Sequence, residues 1–158
     1  VFELLLGDLT DPNTYPEKYR EFVWLQRLIA WLALNKKPVA LENEFMSHYR
    51  QQAVHTGIND YYRDIGCYLL GLKDCDSLLK TIRSNKQRCE FAYYIGFSER
   101  LQGRFTQATN WYHICRQTLL ENTGEFHWAS TELYHWTRLG TENRHRLVYE
   151  DLKNIQAF

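Results

Sequence analysis

The sequence predicts an all-α fold. Three observations carry that prediction: apolar residues recur at intervals of three and four along most of the chain, strict apolar and polar alternation over strand lengths is nearly absent, and capping and turn residues punctuate the chain at helical intervals. With 158 residues the chain is long enough for one domain with a real core. Its 44% apolar and 24% charged residues belong to an ordinary folded composition and not to a disordered one. Residues 1–158 therefore read as a single α-helical domain, with 1–14 as an N-terminal arm and 15–156 as helical hairpins. The opening VFELLLGDLTDP suits either a short helix or an extended arm.

Thr14-Tyr15-Pro16-Glu17 has the form of a capping box, with Thr14 placed to accept a first-turn amide and Glu17 to answer it. A first helix then runs from about Tyr15 to Leu34, with Tyr19, Val23, Leu25, Leu28, Ile29 and Leu32 as a broad apolar face. Asn35-Lys36-Lys37-Pro38 stops it, and Pro38 opens a second helix that reaches about Val54. Thr56-Gly57 ends the second, and Asn59 or Asp60 caps a third over about 60 to 72, carrying Tyr62, Ile65, Gly66, Leu69 and Leu70. Asp74 or Asp76 caps a fourth, over about 75 to 84. Ser84-Asn85 breaks the chain before a fifth helix from about Gln87 to Gln102, with Gly103 as its left-handed C-terminal residue. A sixth spans about Thr106 to Glu121, Asn122-Thr123-Gly124 is a turn, and a seventh spans about Glu125 to Leu139. Gly140 ends it, and Thr141 caps an eighth that reaches about Gln156. About eight helices joined by short turns make four antiparallel αα-hairpins in sequence.

Nineteen basic and nineteen acidic residues cancel, and neither sign forms a long run, which argues against a nucleic-acid partner. No stretch approaches the ~18 consecutive apolar residues of a membrane span. The longest, WLQRLIAWLALN, is broken by Gln26 and Arg27 and reads as one buried helix. Cys67, Cys75, Cys89 and Cys115 lack C-x-x-C spacing and read as buried free thiols, which leans toward a reducing, cytoplasmic compartment. Val1 in place of Met points to an upstream segment, and any signal peptide or lipid anchor would have gone with it. Aromatic residues reach 15%, more than a helical core requires, so some of the rings are expected at the surface.

Residues 94–115, YIGFSERLQGRFTQATNWYHIC, contain the spacing G-x6-G-x-F-x2-A-x3-Y. Two antiparallel helices approach closely only where the crossing carries little bulk, and Gly96 and Ala108 supply a small residue on each. Gly103 supplies the positive φ that reverses the chain, and Phe105, Trp111 and Tyr112 fill the gap where one hairpin meets the next. Ile65-Gly66 echoes Ile95-Gly96. On these residues the chain resembles the tetratricopeptide repeat family, whose unit is a helix-turn-helix of about 34 residues. The likeness is clearest over 89–121 and weaker on either side. It departs from the family at Ala92, where a tryptophan is common, and at Leu120, where a proline often closes the unit. The segment Glu125-Phe-His-Trp-Ala129-Ser-Thr-Glu-Leu133 resembles the capping continuation of bacterial tetratricopeptide proteins. The resemblance implies a right-handed superhelical stack whose concave groove takes a peptide or helix of a partner protein. Carried onto the matching helix, the family's groove positions are Glu90, Tyr93, Phe97 and Arg100. For Tyr93 and Phe97 a place in the core between hairpins stays equally open. Helical spacing alone adds a stripe of His127, Thr131, Tyr134 and Arg138 on the seventh helix.

The sequence offers little for catalysis. Glu132-x-x-His135 has the i, i+3 spacing of carboxylate-bridged iron sites, but no second Glu-x-x-His exists, and Glu44 and His48 stand four apart. His113 and Cys115 are two apart on a helix and point to different sides. The glycines are isolated, so no phosphate loop is present. The expectation is a non-catalytic adaptor or scaffold with no cofactor and no metal. Alternatives are a small helical inhibitor such as a toxin-immunity protein, a metalloenzyme using Glu132 and His135, and a homodimer formed through exposed end faces near Phe158.

Overall fold

The structure, a computed structural model, describes residues 11–51 and 60–138. Among the described residues every regular element is helical. A 3-10 turn, Pro12–Thr14, precedes α1 (Glu17–Ala33), α2 (Leu41–Gln51), α3 (Asp60–Leu69), α4 (Cys75–Leu79), α5 (Asn85–Leu101) and α6 (Phe105–Gln117). A further helix, α7, covers 124–138. The expected eighth helix, the caps at Thr56-Gly57 and Asn59, and most of the arm lie outside the described residues.

Helix ends follow local chemistry, with four corrections to the expected bounds. The first is that α2 opens at Leu41 and not at Pro38, which lies in the preceding turn. Asp74 caps α4 by accepting from the Ser77 amide at 2.7 Å, and Ser84 caps α5 by accepting from Gln87 at 3.1 Å. The capping box at Thr14 does not form. Asp11 caps the preceding 3-10 turn instead, the Thr14 hydroxyl donates to the Asp11 carbonyl at 2.7 Å, and Pro16 takes the N-cap place of α1 with no side-chain bond. α4 stops at Leu79, not near 84. Past it Thr81 and Arg83 donate to the Leu78 and Lys80 carbonyls, and the Arg83 amide is claimed by the Gln87 side chain. α6 ends at Gln117 because Leu119 is left-handed at φ 57°, while the Thr118 carbonyl is held by the Asn85 side chain at 3.0 Å.

Gly103 has φ +74° with open space where a Cβ would stand. Gly103→Ala is therefore expected to lose about 1 kcal/mol through backbone strain alone, with Gly103→Asn losing less. Equilibrium urea denaturation of the two variants checks this, and an alanine variant as stable as the parent would refute it.

Helix direction alternates. At their N-terminal ends α1 and α3 meet through Glu21 and Arg63 (2.8 Å) and the rings of Phe22 and Tyr62, while their C-terminal residues line one cleft. α3 meets α5 in the same sense, through Tyr61 on Phe91 and then Tyr68 beside Ser98. α5 and α7 do so through Tyr94 with Glu125 and Arg100 with Glu132. Thus α1, α3, α5 and α7 run in parallel. α2 and α6 run the other way, as Glu21–His48 and Arg27–Glu44 place the end of α2 beside the start of α1, and Cys89–Cys115 places the end of α6 beside the start of α5.

The interior divides into two clusters. Trp24, Leu28 and Trp31 of α1 pack on Phe45 and Tyr49 of α2. The larger cluster surrounds α5, whose residues Cys89 to Ser98 are all buried, and it takes in Leu25, Ile65, Leu78, Ala108, Tyr112, Phe126, Ala129 and Leu133. A stretch without a polar side, such as Phe91 to Phe97, belongs in an interior, and α5 is the axle of the fold. Gly96 is a close crossing as expected: a Cβ there would meet the Tyr112 ring at 2.7 Å and the Ala108 carbonyl at 3.2 Å. Gly66 is likewise covered by a ring, that of Tyr49. The echo of Ile65-Gly66 in Ile95-Gly96 is thus real as packing. Its tyrosine comes from the preceding helix in one case and the following helix in the other, because α4 is too short to cover α3.

Candidate functional site

Of the four residues carried onto α5, three are in the core. Glu90 is 2% exposed, Tyr93 8% and Phe97 1%. For Tyr93 and Phe97, which the sequence leaves equally open to groove or core, burial favours the core, and Tyr93 has its ring centroid 5.5 Å from that of Trp128 on α7 and 5.9 Å from that of Tyr112. Arg100 is the exception. It is half-buried, its guanidinium lies 5.4 Å from the Phe97 ring centre, and its Nε stands 3.7 Å from Glu132 Oε1.

Among the buried carboxylates described, Glu90 has an oxygen with an unmet need. The Tyr62 hydroxyl donates to its Oε1 at 3.5 Å and Lys86 Nζ stands 3.7 Å away, but Oε2 has no hydrogen-bond partner among the described residues. Burial, then repulsion from buried Glu125, raises its pKa to about 7 against the pull of Lys86. Glu125 accepts from the Tyr94 hydroxyl at 2.9 Å, and that hydroxyl accepts from Gln26 at 3.3 Å. Two carboxyls and three tyrosines, counting Tyr61, thus share an interior polar seam.

The four residues of the α7 stripe lie at the surface. His127, Thr131, Tyr134 and Arg138 are all exposed, and Tyr134 keeps 64% of its surface. They occupy one side of α7, opposite Phe126, Ala129 and Leu133 in the core. Trp128, 43% exposed, flanks the stripe with one edge on Tyr93. The structure joins these four to one another but not to Glu90, Tyr93 or Phe97.

A cleft of about 590 Å³ opens where the C-terminal ends of α1, α3 and α5 converge. Leu32, Tyr68, Leu69 and Leu101 line it, and Lys36, Lys73 and Arg104 stand around it. Cations suit the negative ends of three parallel helices. Lys73 is tied to Asp64 at 2.7 Å, Arg104 to Glu99, and Lys36 lies 5.9 Å from the Trp31 ring centre. Sequence reasoning missed this cleft because its walls are distant in the chain.

The residues weighed for metal chemistry have other partners. Glu132 faces Arg100 and His135 is exposed, while Glu44 pairs with Arg27 at 2.7 Å and His48 with Glu21 at 3.3 Å. Burial opposes the charge on Glu21, yet His48 and Arg63 outweigh it and hold its carboxyl below the usual range. His113 is exposed where Cys115 is buried, on different sides of α6. Among the described residues no three His, Cys, Asp or Glu side chains are grouped to hold a metal ion. No described helix is long and apolar enough to cross a membrane. The chain matches no protein-family model, no curated protein and no solved structure at a significant level.

Proposed function

We propose that the chain is a non-catalytic protein-interaction module, an adaptor or scaffold, and that a segment of a partner protein docks along the exposed side of α7. The carrying observation is the stripe itself: an aromatic ring at 64% exposure, Tyr134, shares one helix face with His127, Thr131 and Arg138. Tyrosine and arginine are the types that dominate binding energy when a partner dries them. Arg100, held at the α5 edge by Glu132, adds to the same reading. The common direction of α1, α3, α5 and α7, with α2 and α6 reversed, supports a stack of hairpins in the tetratricopeptide manner.

The test uses a Tyr134→Ala/Arg138→Ala variant of the full chain. A partner captured by the parent protein is titrated against both by calorimetry. The variant is expected to bind roughly 30-fold more weakly, the loss of about 2 kcal/mol that marks a hot spot. Equal affinity in both proteins would remove α7 as the docking face.

A further inference from the structure

Two thiols meet where α5, α6 and α7 converge. Cys89 lies in the second turn of α5 and Cys115 in the last turn of α6, with their sulfurs 3.4 Å apart although 26 residues separate them in sequence. Their surroundings are unequal. The Thr123 hydroxyl stands 3.5 Å from the Cys89 sulfur, whereas the Glu125 carbonyl oxygen lies 3.6 Å from the Cys115 sulfur. Donation from Cys115 outweighs burial at Cys89, and with Thr118 and Thr123 adding to it the Cys89 thiol is held down at about 6. The same contact pushes Cys115 up. One sulfur is therefore set to ionise first while the other keeps its proton, which is the division of labour a dithiol needs to react in sequence. Cys67 and Cys75 lack it, since burial raises both.

We infer that Cys89 and Cys115 form a redox couple, in which a peroxide closes a disulfide between the start of α5 and the end of α6. The Cys89 thiolate attacks one oxygen of hydrogen peroxide, the O–O bond breaks, and hydroxide leaves to take up the proton that the thiol had released. Cys89 is now a sulfenic acid. The Cys115 sulfur then attacks the Cys89 sulfur, the S–O bond breaks, and the departing hydroxide leaves as water with the Cys115 proton. Two thiols and one peroxide thus give one disulfide and two waters. Closure draws the sulfurs from contact to a bond of about 2.05 Å. Both sulfurs are buried, so the oxidant must be small. They lie against the Thr118–Thr123 turn, whose Leu119 is left-handed and largely exposed.

The experiment treats the full-length reduced chain with one equivalent of hydrogen peroxide, quenches it in denaturant with a thiol-blocking maleimide, and maps the peptides by mass spectrometry. The four thiols are expected to fall to two, with Cys89 and Cys115 recovered as one cross-linked pair and Cys67 and Cys75 blocked. A Cys67→Ala/Cys75→Ala variant is expected to form the same bond. In Cys115→Ala the Cys89 thiol loses its main donor, so oxidation should be slower than in the parent and should stop at a Cys89 sulfenic acid that dimedone traps. Loss of the Cys67 or Cys75 thiols ahead of the pair, or four free thiols after treatment, would overturn the inference whatever the variants do.

Discussion

Gly66→Ala is expected to lower the free energy of unfolding by about 2 to 4 kcal/mol, the penalty of overpacking a site that cannot relax. A Cβ at position 66 would stand inside the Tyr49 ring, in conflict with Cε1, Cζ and the hydroxyl oxygen. That ring has nowhere to retreat. Tyr49 is fully buried between α1 and α3, and its carbonyl is held by the Cys67 thiol at 3.8 Å. Alanine is the better helix former by about 1 kcal/mol, which offsets only part of the clash. Gly96→Ala should lose less, because its nearest conflict with Tyr112 is at 2.7 Å. Urea denaturation of both variants gives the order. A Tyr49→Ala/Gly66→Ala double variant should fall well short of the sum of the two single losses. If Gly66→Ala proves as stable as the parent, Tyr49 does not lie on that glycine.

The second large effect is on pH dependence. Glu90 keeps its proton in the folded chain up to about pH 7, whereas the unfolded carboxyl gives it up near the ordinary value of 4.5. Between those two values the folded state binds more protons than the unfolded one, so stability falls as pH rises and levels off above about 7. Glu21 acts in the opposite sense at lower pH, where protonation removes its pairing with His48 and Arg63. Each tenfold difference in proton affinity between the folded and unfolded chain is worth about 1.4 kcal/mol. Discounted for what solvent reaches, the Glu90 loss between pH 5 and 8 should be on the order of 1 to 3 kcal/mol. Glu90→Gln is expected to abolish that slope and to exceed the parent's stability at pH 8. Denaturation curves at both pH values decide it, and a parallel slope in parent and variant would place the proton elsewhere.

Features that depend on neighbours in sequence were legible. Asp74, Ser84 and Gly103 do what their residue types predict, because a cap or a left-handed turn is settled within four residues. Thr14 misled because Asp11 and Pro12 built a competing turn one step earlier. The burial of Glu90, Tyr93 and Phe97 has a reason the sequence does carry: from Phe91 to Phe97 the helix has no polar side, so none of its faces is free for a partner. The cleft at the ends of α1, α3 and α5, the Glu90–Glu125 seam and the Cys89–Cys115 contact each join residues that only the packing of separate helices brings together. No local pattern announces them. The α7 stripe was legible because its polar and apolar sides alternate with helical period.

The two clusters also divide the tryptophans. Trp24 and Trp31 lie in the α1–α2 cluster, while Trp111, Trp128 and Trp136 sit around α6 and α7. Indole emission depends on the water around the ring, so dry Trp31 and half-wet Trp128 contribute to opposite flanks of the same spectrum. The blue and red flanks of the band thus weight different halves of the molecule. Their coincidence along a denaturant series would identify the two halves as one cooperative unit.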